Sequence, residues 1–161
     1  MVTTTWVKMR EVTKDDIQQI VTIERQSFGR DSWSSKDFSV GLFHDVTCFG
    51  EVAVTGKEVL GYVIFTPADD YISIDNMAIS PKYRRNGIAS LFVDRLMSHL
   101  NKVDKRGASR KRPITALIHE RNVTAQLFLK ANGFLVNGVI SDGTSIDRLY
   151  HFVLQLDPWT A

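Results

Sequence analysis

The stretch of the sequence richest in chemistry is Asn76-Met77-Ala78-Ile79-Ser80-Pro81-Lys82-Tyr83-Arg84-Arg85-Asn86-Gly87-Ile88-Ala89. It sets a run of β-formers, a basic turn, a glycine and a helix start in direct succession. The first turn of a helix carries four N–H groups without intrahelical partners and the positive end of the dipole. Gly87 lets a ligand approach that backbone with no Cβ in the way, and the small Ala89 widens the opening. Arg84 and Arg85 add positive charge beside it. Together these residues can cradle a diphosphate. They also fit a plain helix N-terminus in which Gly87 eases a turn and the arginines are solvated. The P-loop pattern and the full Gly-x-Gly-x-x-Gly fingerprint are both absent.

The surrounding elements must place that turn. Residues 6–11 alternate weakly and suit a first strand. Thr13 and Asp16 have capping-box spacing, and Ile17, Ile20, Val21 and Phe28 then follow at helical period. Ser34 and Asp37 repeat the cap ahead of a shorter helix carrying Phe38 and Leu42. Residues 47–54 and 59–66 are runs of β-formers joined by the hairpin-type Thr55-Gly56-Lys57-Glu58. Residues 71–79 read as a strand, 87–100 as a helix, 114–118 as a short strand and 124–130 as another helix. Residues 134–140 and 149–156 close the chain as strands. The order β-α-α-β-β-β-α-β-α-β-β predicts an α+β (mixed α/β) fold, a sheet with helices on its faces.

Composition narrows the class. The chain has 161 residues, 43% hydrophobic and 24% charged, with four Pro and ten Gly. This is globular composition, not that of a disordered chain, a collagen or a coiled coil. The length predicts one domain over residues 1–161. A single cysteine, Cys48, excludes a disulfide framework and a cysteine-based zinc site, and no metal is expected. Twenty basic and eighteen acidic side chains give a formal charge of +2, which does not point to nucleic acid. The polar start, residues 1–6, lacks a basic segment followed by an apolar run. Apolar stretches such as 59–65 fall short of the ~20 residues that span a bilayer, so a cytoplasmic protein without membrane contact is expected.

Arg84-Arg85-Asn86-Gly87-Ile88-Ala89 is similar to the Gln/Arg-x-x-Gly-x-Gly/Ala motif of the GNAT superfamily of N-acetyltransferases, and Asn76-Met77-Ala78-Ile79 resembles that family's strand four. A second block, Asn122-Val123-Thr124-Ala125 followed by Gly133-Phe134, resembles the family's Asn-x-x-Ala…Gly-Phe segment. The resemblance implies a mostly antiparallel six- to seven-stranded sheet with strands four and five splayed apart, flanked by about four helices. It also implies acetyl-CoA as co-substrate. Backbone groups of Met77, Ala78 and Ile79 would hold the pantetheine arm. Arg84 and the amides of Arg85, Asn86, Gly87, Ile88 and Ala89 would bind the pyrophosphate, and Asn122 would contact the pantetheine or the substrate side. The Met77 N–H would stabilise the oxyanion of the reacting thioester.

The stretch from Ile23 to Phe38 resembles the first-helix region of the ribosomal-protein N-terminal alanine acetyltransferases within that superfamily. The shared pattern is an acidic helix end, an aromatic, then Trp33-Ser34 with Phe38 four residues on. By that resemblance Glu24, Phe28 and Trp33 would wall the slot for an incoming peptide N-terminus. Phe28 and Trp33 fit core packing equally well. The chain also departs from the subgroup: Leu117, Leu129 and Ser73 stand where proton-handling side chains are expected. Asp75, on the same strand face as Ser73, and His119, on the face of Leu117, are the replacement candidates. Glu120 and Tyr150 are weaker ones. Lys102, Lys105, Arg106, Arg110, Lys111 and Arg112 crowd one loop, which reads as a solvated connection.

The expected activity is acetyl transfer to a primary amine, a protein N-terminus or a small amine, by direct attack in a ternary complex. A CoA-binding module without catalysis is the alternative. A monomer and a homodimer fit the sequence equally.

Overall fold

The computed structural model describes residues 6–45, 48–100, 112–141, 143 and 147–155. Seven strands hydrogen-bond in one mostly antiparallel sheet, in the order β1-β2-β3-β4-β5-β7-β6. They are β1 (Lys8–Glu11), β2 (Phe49–Thr55), β3 (Glu58–Pro67), β4 (Ile72–Ile79), β5 (Ile114–His119), β6 (Leu135–Ile140) and β7 (Leu149–Leu154). The helices are α1 (Ile17–Phe28), α2 (Ser35–Ser39), α3 (Ile88–Leu100) and α4 (Val123–Ala131). The expected mixed α/β fold is therefore the one observed. Two compact units divide the chain: Met1–Thr66 with Asp75–Phe92, and Pro67–Ile74 with Val93–Ala161.

In the first unit α1 presents Ile17, Ile20, Val21, Glu24 and Phe28 at helical spacing, and all but Phe28 are buried. Its core joins Ile20, Phe38, Val52, Tyr62 and Ile64, with Phe28, Trp33 and Leu42 packed against it. The Thr13–Asp16 cap forms as expected. Asp16 Oδ2 accepts from the Thr13 N–H at 2.8 Å, and Arg10 grips the same carboxylate at 2.7 and 2.9 Å. The Ser34–Asp37 box forms too, the Ser34 N–H donating to Asp37 Oδ2 at 2.7 Å. α2 is shorter than its apolar spacing suggests and passes into a π-helical turn over Val40–His44. The first strand starts at Lys8 rather than residue 6, and Trp6 is exposed. Cys48 lies just ahead of β2 and is buried.

In the second unit the parallel β4–β5 ladder pairs Ile72 with Ile114, Ser73 with Thr115 and Ile74 with Ala116. This short ladder agrees with the splayed pair the family resemblance implies. β7 lies antiparallel between β5 and β6. Leu129, Phe134 and Phe152 are buried here, while all six residues of β6 are exposed. Phe134 precedes β6 instead of opening it. The sequence boundaries at Thr47 and Leu156 lie outside the described residues, as do Lys102, Lys105, Arg106, Arg110 and Lys111. Arg112 is described, and its Nη1 donates to Ala68 O at 2.6 Å. Among the described residues no helix is long and apolar enough to cross a membrane.

Candidate active site

β4 leads into α3 through a fastened turn. The Ser80 N–H donates to Leu60 O at 2.8 Å, and the Tyr83 N–H returns to Ser80 O at 2.9 Å. The Tyr83 hydroxyl donates to Glu58 Oε2 at 2.8 Å, and Lys82 Nζ meets Glu58 Oε1 at 2.8 Å. Lys82 holds the Glu58 carboxyl below the usual carboxylate range, with the Tyr83 hydroxyl adding to it. Glu58 in turn raises the Lys82 ammonium. The turn is thus strapped to the start of β3.

Beyond the straps the backbone enters the left-handed region twice, at Arg85 (φ +62°) and Gly87 (φ +77°). For a side-chain-bearing residue this conformation costs about 1–2 kcal/mol. Asn86 braces it, its Nδ2 donating to Tyr83 O at 3.0 Å and Arg84 O at 3.1 Å. A Cβ built on Gly87 would meet no atom within 4 Å. Packing therefore does not require glycine here; backbone conformation does, and the space above it is open. α3 starts at the next residue and runs for 13 residues, so its unpaired first-turn amides adjoin that space. Turns of this kind gather N–H groups into an anion-binding concavity.

Along the end of β4 the side chains alternate. Asn76 and Ala78 face the core side, whereas Met77 and Ile79 share the other face. The Ile72 N–H reaches Pro113 O at 2.9 Å whereas the Ser80 N–H reaches β3, so the alternation of β4 shifts between them, and Ile79, next to Ser80, turns its N–H and C=O away from β3. Asp75 is exposed and its Oδ2 accepts from Thr66 Oγ1 at 2.5 Å.

The sequence matches the acetyltransferase (GNAT) family over residues 15–134. This chain belongs to the GNAT acetyltransferase family. No curated protein is similar enough in sequence to count as a match. Among solved structures, the ribosomal-protein-S18-alanine N-acetyltransferase of Escherichia coli is similar at a TM-score of 0.74 and 16% identity, over 96% of this chain and 98% of that one. Ard1 of Thermoplasma volcanium gives 0.72 and 16%, over 95% and 99%. NAA60 of Arabidopsis thaliana in complex with acetyl-CoA gives 0.72 and 14%, over 93% and 99%. At these identities the likeness is one of fold.

Several candidate residues of this GNAT chain have partners within the protein. Arg84 is exposed and also held by the protein: its Nε donates to Ile79 O at 3.0 Å and its Nη2 to Ser27 Oγ at 3.0 Å. The Ile79 carbonyl is thereby occupied in this structure. Asn122 caps α4, its Oδ1 accepting from the Ala125 N–H at 3.1 Å. His119 has both ring nitrogens engaged. Its Nδ1 accepts from the Arg121 N–H at 3.2 Å, which leaves the proton on Nε2, 3.2 Å from Asp147 Oδ2. No ring lone pair then remains for a substrate proton, so the geometry argues against His119 as a base.

Glu24 is the largest departure from the expected slot wall. It is 1% exposed. Its Oε1 accepts from the Trp33 N–H at 2.9 Å, and its Oε2 accepts from Asn76 Nδ2 at 3.0 Å and from the Tyr62 hydroxyl. Burial and then the bond to Glu24 push the Tyr62 phenol well above its ordinary range. Phe28 and Trp33 are half-buried against the same core, and the Trp33 ring lies 5.3 Å from that of Phe38. Tyr62 and Asn76 escaped the sequence reading. Their signal was a polar side chain at a core-facing position, where Asn76 shares the strand face of the buried Ala78.

Proposed function

We propose that this GNAT acetyltransferase moves an acetyl group from acetyl-CoA to a primary amine, the N-terminal α-amine of a protein, by direct attack in a ternary complex. The observation that carries the donor half is the turn at residues 84–89. Two left-handed residues, a helix N-terminus and open space over Gly87 fit a diphosphate approaching the backbone. The amides of Arg85, Asn86, Gly87, Ile88 and Ala89 would hold that group, with the exposed Arg85 side chain adding charge. Met77, Ala78 and Ile79 would hold the arm along the β4 edge, with Arg84 releasing the Ile79 carbonyl. When bound, acetyl-CoA supplies an activated acyl group with a thiolate leaving group.

The chain's own residues supply the rest. The Met77 N–H donates to the developing oxyanion. Asp75, two residues earlier on β4 and exposed, accepts the amine proton. Phe28 and Trp33 flank the entering amine. Residues 1–161 act as one acetyltransferase domain, a cytoplasmic one. The likeness to the ribosomal-protein-S18-alanine N-acetyltransferase of Escherichia coli supports an N-terminal acceptor. A small-amine acceptor is the second reading, favoured by Leu129: it is buried at 2% exposure where the peptide-directed subgroup carries a proton-handling tyrosine.

The test is calorimetric titration with acetyl-CoA, followed by thiol release with a panel of N-terminal peptides and small amines. Binding with turnover on a peptide establishes the proposal. Turnover on small amines alone moves it to the second reading, and absence of binding by the folded protein refutes it.

A further inference from the structure

We infer that Glu24 is a positioning residue that fixes the acceptor-side loop to the acetyl-transfer strand; the inference rests on the acetyltransferase reading above. The carboxyl group joins three separate pieces of chain. From α1 it takes the Trp33 N–H at the entry to α2, the Tyr62 hydroxyl of β3 and the Asn76 amide of β4. Asn76 directly precedes Met77, the proposed oxyanion donor. Trp33 belongs to the loop proposed to flank the amine. The Tyr62 hydroxyl lies 3.3 Å from Asn76 Oδ1, so the same two side chains that fill Glu24 Oε2 are neighbours of each other.

A carboxyl group at 1% exposure is costly to bury unless its oxygens are filled. Here donors from a loop and from two strands fill them, so any shift of the loop or of β4 at Asn76 leaves a buried polar atom unmatched. That makes the spacing between Trp33 and Asn76 a fixed quantity. Glu24 has the reach to span it; an aspartate is one methylene short. Placement of the amine then depends on the length of this side chain and not on its charge.

The test compares Glu24→Asp, Glu24→Gln and the wild type, using acetyl-CoA and whichever amine of the panel turns over best. Glu24→Gln keeps the span and one acceptor oxygen, so it retains more function than Glu24→Asp. The expected result is an acceptor KM raised about ten-fold in Glu24→Asp and less in Glu24→Gln, with acetyl-CoA Kd unchanged within about two-fold in both. Amide exchange at Trp33 accelerates in the same order. A wild-type acceptor KM in Glu24→Asp, or a larger defect in Glu24→Gln than in Glu24→Asp, overturns the inference. So does a parallel rise of acceptor KM and acetyl-CoA Kd, which marks general loosening. Where neither Glu24 variant folds, Tyr62→Phe removes one donor and keeps the ring, and an unchanged acceptor KM there also overturns it. A wild type that binds no acetyl-CoA overturns the acetyltransferase reading and takes this inference with it.

Discussion

Replacing Gly87 separates backbone strain from ligand exclusion. At φ +77° an alanine is strained, while its Cβ would find no protein atom within 4 Å. The stability loss of Gly87→Ala is therefore the conformational term alone, about 1–2 kcal/mol. For a chain of this size that lowers Tm by about 3–6 °C. Gly87→Glu carries the same strain and adds a carboxylate in the space assigned to the pyrophosphate. At about 5 Å and an effective dielectric near 20, one such charge pair costs about 3 kcal/mol, or roughly a hundred-fold or more in Kd. Thermal unfolding should place the two variants within a degree or two of each other, while titration with acetyl-CoA should separate them widely. Equal acetyl-CoA affinity in wild type and Gly87→Glu, with the protein folded, would refute the placement of the diphosphate and the chemistry built on it.

Other outcomes follow from the same structure. The Asp16 carboxyl is held below its unfolded value by its hydrogen bonds to Arg10, so its stabilisation is complete above the unfolded value and lost as pH falls through the folded one. Asp16→Asn should lose about 2 kcal/mol at pH 7, with an acid-unfolding curve shallower than wild type by urea titration at stepped pH. A Cβ at Gly61 would lie 2.6 Å from Ile79 Cδ1 and 2.9 Å from Ala78 O, so Gly61→Ala should destabilise by about 1–3 kcal/mol and weaken acetyl-CoA binding by moving β4. Gly138, on the exposed β6, has open space and ordinary φ; Gly138→Ala should raise stability by about 0.5–1 kcal/mol and leave titration with acetyl-CoA unaltered. Asp75→Asn should depress kcat more than acetyl-CoA affinity, whereas His119→Ala should retain most of the turnover at pH 7. The reverse ranking in steady-state kinetics would return the base role to His119.

Local rules made much of this protein legible. The apolar positions of α1 repeat at helical period, Ser34 and Asp37 cap α2, and glycine with basic residues marks the β4–α3 turn; each signal lies within a few residues of chain, so neighbours along the sequence decide it. The family resemblance lived in such short segments, which is why the sheet and the donor turn could be expected before any coordinates. The roles of Glu24, His119 and Arg84 could not. Each is set by a partner that only folding supplies: Tyr62 and Asn76 for Glu24, Asp147 for His119, Ser27 and the Ile79 carbonyl for Arg84. A hint was present, because Glu24 falls on the apolar stripe of α1 and Asn76 on the core face of β4. Polar groups at core positions must find one another, and the sequence shows that such groups exist without showing which ones meet. Periodicity determined which faces are buried; tertiary structure alone decided which donors and acceptors those faces bring together, because hydrogen bonds require positions fixed within tenths of an ångström by chain segments far apart in sequence.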